Sequence, residues 1–145
     1  MSVTGRDITR NQGAFDRSTE KIFIWNNEYI SGTFLNDSGA ELTLVGGELL
    51  GRVSATGKII ILKSAAADGS QFPLGINKSC ITLAIGAEAE ISLGVAGDVD
   101  QGLVILDGSD TLETPISLKQ IRDRIAGDTK GIQLVVSEDL TKLDN

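Results

Sequence analysis

Between Glu41 and Leu106 the chain repeats one rhythm, a short run rich in Ile, Leu and Val followed by a turn of small residues. The runs are "ELTLV", "ELLGRVS", "KIIILK", "FPLGI", "CITLAI", "AEISLGVAG" and "GLVIL", separated by Gly46-Gly47, Thr56-Gly57, a small-residue loop at 64–70 and Gly86. Each run is too short for a helix and long enough for a strand, and glycine supplies the positive φ of tight turns. Many short strands at close spacing predict a mainly β fold, an antiparallel barrel or clip-like arrangement. No self-similar unit of about 20–50 residues recurs, so a solenoid is not expected.

The flanks read differently. Residues 1–20 are polar and follow neither a helical nor a strand period, which predicts an extended N-terminal arm ordered mainly by contacts. "EKIFIWNNEYISGTFL" then reads as an aromatic hairpin, with a strand at residues 21–25, a turn at Asn26-Asn27 and a second strand around Tyr29 to Leu35. Five of the six aromatics fall within the first 34 residues, Phe72 being the exception, so the main core is expected to be aliphatic. The chain divides on this basis into residues 1–35, arm and hairpin, and residues 36–145, a β-rich domain. Within the latter, "TPISLKQIRDRIAG" predicts one short helix over 117–126, with Ser117 and Gln120 as a capping box, Leu118, Ile121 and Ile125 on one face and Gly127 as the stop. A last strand, "GIQLVVS", follows.

At 145 residues the chain suits one core, burying roughly two thirds of its unfolded surface. Mean hydropathy is +0.07, and no apolar run approaches the roughly 20 residues of a membrane span, so no membrane partner is expected. The opening "MSVTGRDITRNQ" lacks the apolar centre of a secretory signal. Net charge is −7, which opposes binding to nucleic acid unless a basic patch intervenes. Lys119, Arg122 and Arg124 cluster, but Asp123 and Asp128 interleave and follow them, as on a solvated helix face.

Little in the sequence suggests catalysis. Histidine is absent, removing the commonest general base and zinc ligand together. The lone Cys80 excludes an internal disulfide, fits a reducing compartment, and reads as a buried small apolar residue rather than a reactive thiol. Asp98 and Asp100 in "GDVDQG" alternate as hard oxygen ligands would, yet the loop fails the EF-hand spacing; "DGSD" at 107–110 reads likewise as a turn. No phosphate-cradling glycine motif occurs. No catalytic residue, metal or cofactor is expected.

"GELLGRVSATGKIIILKSAAADGSQFPLGI" resembles bacteriophage head decoration proteins of the lambda type. The residues that carry the resemblance are Gly47, Leu49–Val53 and Ala55–Lys58, then Ala67–Gln71, Gly75 and Ile76; "ISLGVAGDVDQGLV" is similar to that family's closing strands. The resemblance spans roughly residues 41–106 and implies a β-clip or β-tulip-like barrel, homotrimers, and binding to the major capsid protein on the outside of a head that the trimers cement against DNA pressure. It implies assembly in the bacterial cytoplasm and residence on the virion. The aromatic N-terminal segment and the C-terminal helix depart from the lambda form, as in a longer branch. Aromatics are over-represented at interface hot spots, so Phe15, Phe23, Trp25, Tyr29 and Phe34 are the candidate capsid-binding residues. Ala66, Ala67, Asp68, Gly69 and Ser70 form a small-residue loop, the candidate contact between neighbouring copies. Other expectations are a different virion β module, such as a tail or fibre receptor-binding component, and a trimeric β-clip nucleotide hydrolase using Asp98 or Asp100. The hydrolases place an Asp beside a Tyr, and the sole tyrosine, Tyr29, lies in the N-terminal segment.

Overall fold

The computed structural model describes residues 22–136. Its strands are β1 (Phe23–Leu35), β2 (Leu42–Leu44), β3 (Leu49–Arg52), β4 (Ile59–Ile61), β5 (Pro73–Asn77), β6 (Ile81–Leu83), β7 (Glu88–Asp100), β8 (Pro115–Ile116), β9 (Lys119–Gln120) and β10 (Gly131–Val135). One α-helix, α1 (Ile121–Asp128), follows β9. Neighbouring strands run β1-β4-β3-β5-β7, and β7 pairs back onto β1, closing a five-stranded barrel. β10 adds alongside the far half of β7, from Gly131 opposite Ala96 to Val135 opposite Asp100, while β2 and β6 form a separate ladder. The mainly β barrel and the short C-terminal helix expected from the sequence are therefore present.

Three expectations about the elements need correction. The strands are neither all short nor all antiparallel: β1 and β7 are 13 residues each, and both β1–β4 and β10–β7 are parallel. The aromatic hairpin is a single strand. Asn26 does adopt a tight conformation, φ 55°, but it serves a bulge in β1 opposite Gly97, φ 102°. Asn27 fills the irregularity by donating from Nδ2 to the carbonyls of Ala96 and Asp98, at 3.3 and 3.0 Å. Bulges bend and twist the strands that carry them. Here the bend folds Phe23 back over Gly94, where a Cβ would lie 2.3 Å from the ring.

The helix also begins later than predicted. Residues 115–120 form a two-residue hairpin, β8–β9, so Ser117 lies in its turn and α1 starts at Ile121 without a side-chain cap from Gln120. Ile121 and Ile125 face the core as expected, whereas Leu118 does not. Gly127 lies inside α1 with open space around its Cα, so Gly127→Ala is expected to stabilise the chain by about 0.5–1 kcal/mol, read from the urea midpoint.

Apolar residues pack on both sides of the barrel wall. Leu50, Ile59, Leu83, Ile91, Leu93 and Val95 fill one cluster with Phe34, so the core is not purely aliphatic. Phe23, Leu49, Ile76, Val99, Ile121, Ile125 and Ile132 make the second, between wall and helix. Successive residues Leu49 and Leu50 thus enter different clusters, which is why "ELLG" does not alternate apolar with polar. Two buried amides lock the edges. Asn36 donates to the carbonyls of Ala40, Leu83 and Ala84, and Asn77 to those of Val45 and Ser79.

Glu48 is half-buried beside this second cluster, accepting from Val45 N at 2.8 Å. Burial pushes its carboxyl up, the Val45 N–H opposes the shift, and Asp107 adds repulsion. The folded chain therefore holds this proton more tightly than the unfolded chain, and stability falls as pH rises from the ordinary carboxylate value through the raised one. Glu48→Gln keeps an acceptor for Val45 without the charge. A higher melting temperature at pH 7 is expected, with the gain vanishing by about pH 4.

Candidate functional site

The described aromatics among the five nominated from the sequence do not form one surface. Phe15 lies outside the described residues. Phe23 and Phe34 are buried in the two core clusters and are unavailable to a partner. Among the four that are described, only Trp25, 69% exposed, and Tyr29, 40% exposed, reach the surface. β1 is also a wall of the barrel rather than part of a detachable arm, so a boundary after residue 35 cuts through the fold.

Trp25 and Tyr29 occupy different surroundings because the bulge lies between them. Trp25 stands in register with Asp98 on β7, and Asp98 with Gln133 on β10, so one apolar ring sits in a row of polar groups. The next row, Phe23, Val99 and Leu134, packs into the core. Tyr29 meets Phe23 edge to face at 5.3 Å between centroids, and Lys78 Nζ sits 4.0 Å above the Tyr29 ring. Partial burial raises the pKa of the Tyr29 hydroxyl. Glu28, next to Tyr29 in sequence, faces Lys130 at 3.9 Å.

The nominated small-residue loop is a built structure. Ala67 and Asp68 are exposed, Ala66 and Gly69 half-buried, and Ser70 fully buried. Asp68 Oδ1 accepts from Ser70 N at 3.0 Å and from Ser70 Oγ at 2.5 Å, and these bonds hold the Asp68 carboxyl below its ordinary pKa. The Asp68 carbonyl accepts from Ser54 N at 2.9 Å, tying the loop to the "SATG" turn. Ser70 lies against Gly51, where any Cβ would stand 2.0 Å from the Ser70 carbonyl oxygen. Ser64 donates from N and Oγ to Asp110 at 3.0 and 2.7 Å. Only Ala65, Ala67 and Asp68 are left exposed at the tip.

Of the carboxylates considered for metal or water activation, Asp100 and Asp110 have structural partners, while Asp98 stands in register between Trp25 and Gln133. Asp100 is buried and accepts from Gly102 N at 2.9 Å, capping a 3-10 turn over Gln101–Leu103. Asp110 holds Ser64, and its own N–H closes the 107–110 turn onto the Asp107 carbonyl at 3.0 Å. Among the described residues, no three His, Cys, Asp or Glu side chains gather as a metal-binding group. Cys80 is exposed, not buried as the sequence suggested, because it follows β5 at the turn into β6.

No protein-family model matches the chain, and no curated protein matches it.

Proposed function

We propose that the chain is a structural, non-enzymatic virion protein. It binds the major capsid protein on the outer surface of a tailed-phage head as trimers and stabilises the shell against internal DNA pressure. The observation that carries this reading is the interlocking of the two quoted motif halves. Gly51, Ser54 and the "SATGK" turn receive the "ADGSQ" loop through the Gly51–Ser70 contact and the Ser54–Asp68 hydrogen bond. The ordered residues that resemble decoration proteins thus cooperate in one rigid rim of the barrel, suited to holding a fixed shape against another protein.

Two further features support it. Trp25 presents a large aromatic surface in a polar row, the residue type that most often anchors protein interfaces. A net charge of −7 suits the outside of a DNA-filled shell and disfavours contact with the DNA itself. The polar residues 1–20 are proposed to contribute to anchoring on the coat, together with Trp25 and Tyr29.

Mass spectrometry and imaging of the parent particle, with heads separated from tails, tests this directly. The expected result is chain in the head fraction at about one copy per coat subunit, seen outside the shell. Recovery in the tail fraction would favour a tail or fibre module instead. Because the proposed role needs no metal, EDTA is expected to leave the melting temperature unchanged; a fall of several degrees restored by calcium or magnesium would contradict it.

A further inference from the structure

The chain contains two Asp-Gly steps, Asp68-Gly69 and Asp107-Gly108, both followed by serine, and no Asn-Gly step. Such a step carries its own chemistry, because glycine lets the following amide nitrogen approach the Asp side chain. The glycine nitrogen attacks the Asp Cγ, an N–Cγ bond forms, and the carboxyl OH departs as water with the amide hydrogen, closing a five-membered succinimide. Water then opens the ring. Addition at Cγ restores Asp. Addition at the main-chain carbonyl breaks its bond to nitrogen and leaves an isoaspartyl link, in which the main chain runs through the Asp Cβ and Cγ. Local sequence makes the two steps near-equal candidates, and the structure separates them.

Asp68-Gly69 is locked. Asp68 Oδ1 accepts from Ser70 N at 3.0 Å and from Ser70 Oγ at 2.5 Å, and swinging the carboxyl onto Gly69 would break both bonds. The same bonds hold the Asp68 carboxyl below its ordinary pKa, which depletes the neutral acid that loses its OH. Gly69 N is turned to Gln71 Oε1 at 2.9 Å. Gly69 has no room to move, since a Cβ on it would lie 2.1 Å from Ser54 Oγ and 3.2 Å from the Arg52 carbonyl oxygen.

Asp107-Gly108 is open. Among the described residues, the Asp107 carboxylate accepts no hydrogen bond and Gly108 N donates none. Gly108 and Ser109 are exposed, and a Cβ on Gly108 would meet nothing within 4 Å. The bond that closes the turn, from Asp110 N to the Asp107 carbonyl at 3.0 Å, engages the Asp107 main chain and leaves its carboxyl free to rotate.

We propose that Asp107 is a site of spontaneous succinimide formation and isoaspartyl conversion in the folded chain, and that Asp68 is protected. The product adds one carbon to the main chain inside the 107–110 turn. It therefore displaces Asp110, whose carboxylate accepts from Ser64 N and Oγ at the start of the 64–70 loop, at 3.0 and 2.7 Å. Conversion withdraws a support of the rim.

Peptide mapping of the full chain after prolonged warm incubation at mildly acidic pH tests this. Trypsin places the two steps on different peptides, residues 64–78 and 79–119, and enzymatic methylation of the isoaspartyl carboxyl with fragmentation locates the product. The folded chain is expected to carry about tenfold more product at Asp107 than at Asp68, the factor that one hydrogen bond to a charged group confers. In guanidinium the two positions are expected to react alike, because only local sequence then distinguishes them. Asp107→Glu cannot close a five-membered ring, so it is expected to lose the product from residues 79–119 and to hold its melting temperature through an incubation that lowers that of the wild type. Equal product at both positions in the folded chain, a folded chain with none, product at 79–119 that persists in Asp107→Glu, or a guanidinium arm in which Asp107 alone reacts would each overturn the assignment. A chain converted at Asp107 that melts as the fresh chain does would overturn the loss of support.

Discussion

Gly51→Ala is expected to lower stability by about 3 kcal/mol, read as a fall in urea midpoint at unchanged slope. Its Cβ would lie 2.0 Å from the Ser70 oxygen, 2.7 Å from the Ser70 carbonyl carbon and 3.0 Å from its Cα, all backbone atoms. A flexible side chain would turn aside at little cost, but this backbone is tethered. Asp68 binds Ser54 behind it, Ser70 binds Asp68 through two bonds, and Pro73 follows at once in β5 against Gly51. Retreat of the loop would break these bonds and open β3 from β5, between which Leu50 and Gly75 are paired. Gly127→Ala is the internal contrast, since the same added methyl meets nothing within 4 Å. If Gly51→Ala melts like the wild type, the loop is free to move and the rim is not the rigid element proposed to face the coat.

The barrel was legible in the sequence because β3, β4 and β5 are short, apolar and punctuated by glycine, a local signal. The closure of the barrel was not, because it depends on β1, whose Asn26-Asn27 pair carries the residue chemistry of a turn. Turn chemistry and bulge chemistry share the same left-handed backbone, and only the opposing Gly97 distinguishes them, some seventy residues away along the chain. The helix start failed for a related reason. Ser117 followed by Gln120 satisfies a capping pattern, yet the Arg124 bonds to the Ile116 and Ser117 carbonyls favour a hairpin there. The small-residue loop could be seen as a loop, while its tie to Gly51 needed the third dimension. Among the aromatics, composition marked the segment but could not sort inward from outward residues, since three register shifts in β1 between Phe23 and Tyr29 change which side chains face the core.

That sorting is what Phe34→Ala and Trp25→Ala separate. Phe34 is 1% exposed, enclosed by Leu44, Leu50, Ile59 and Ile91, and it lies where β1 meets β4 in the barrel wall. Replacing it with Ala removes the ring from a packed interior and leaves a cavity beside the only register pair joining β1 to β4, Phe34 with Ile59. A loss of about 3–5 kcal/mol is expected, with a fall in melting temperature of roughly ten degrees or more. Trp25 touches no such interior, so Trp25→Ala is expected to change stability by less than about 0.5 kcal/mol. On purified heads the expectation is instead a loss of about 2 kcal/mol in binding if Trp25 anchors the chain to the coat. The two measurements make the distinction sharp. A Trp25→Ala chain that unfolds would place Trp25 in the domain's own core. One that stays folded and decorates heads at wild-type affinity would move the anchor away from this face.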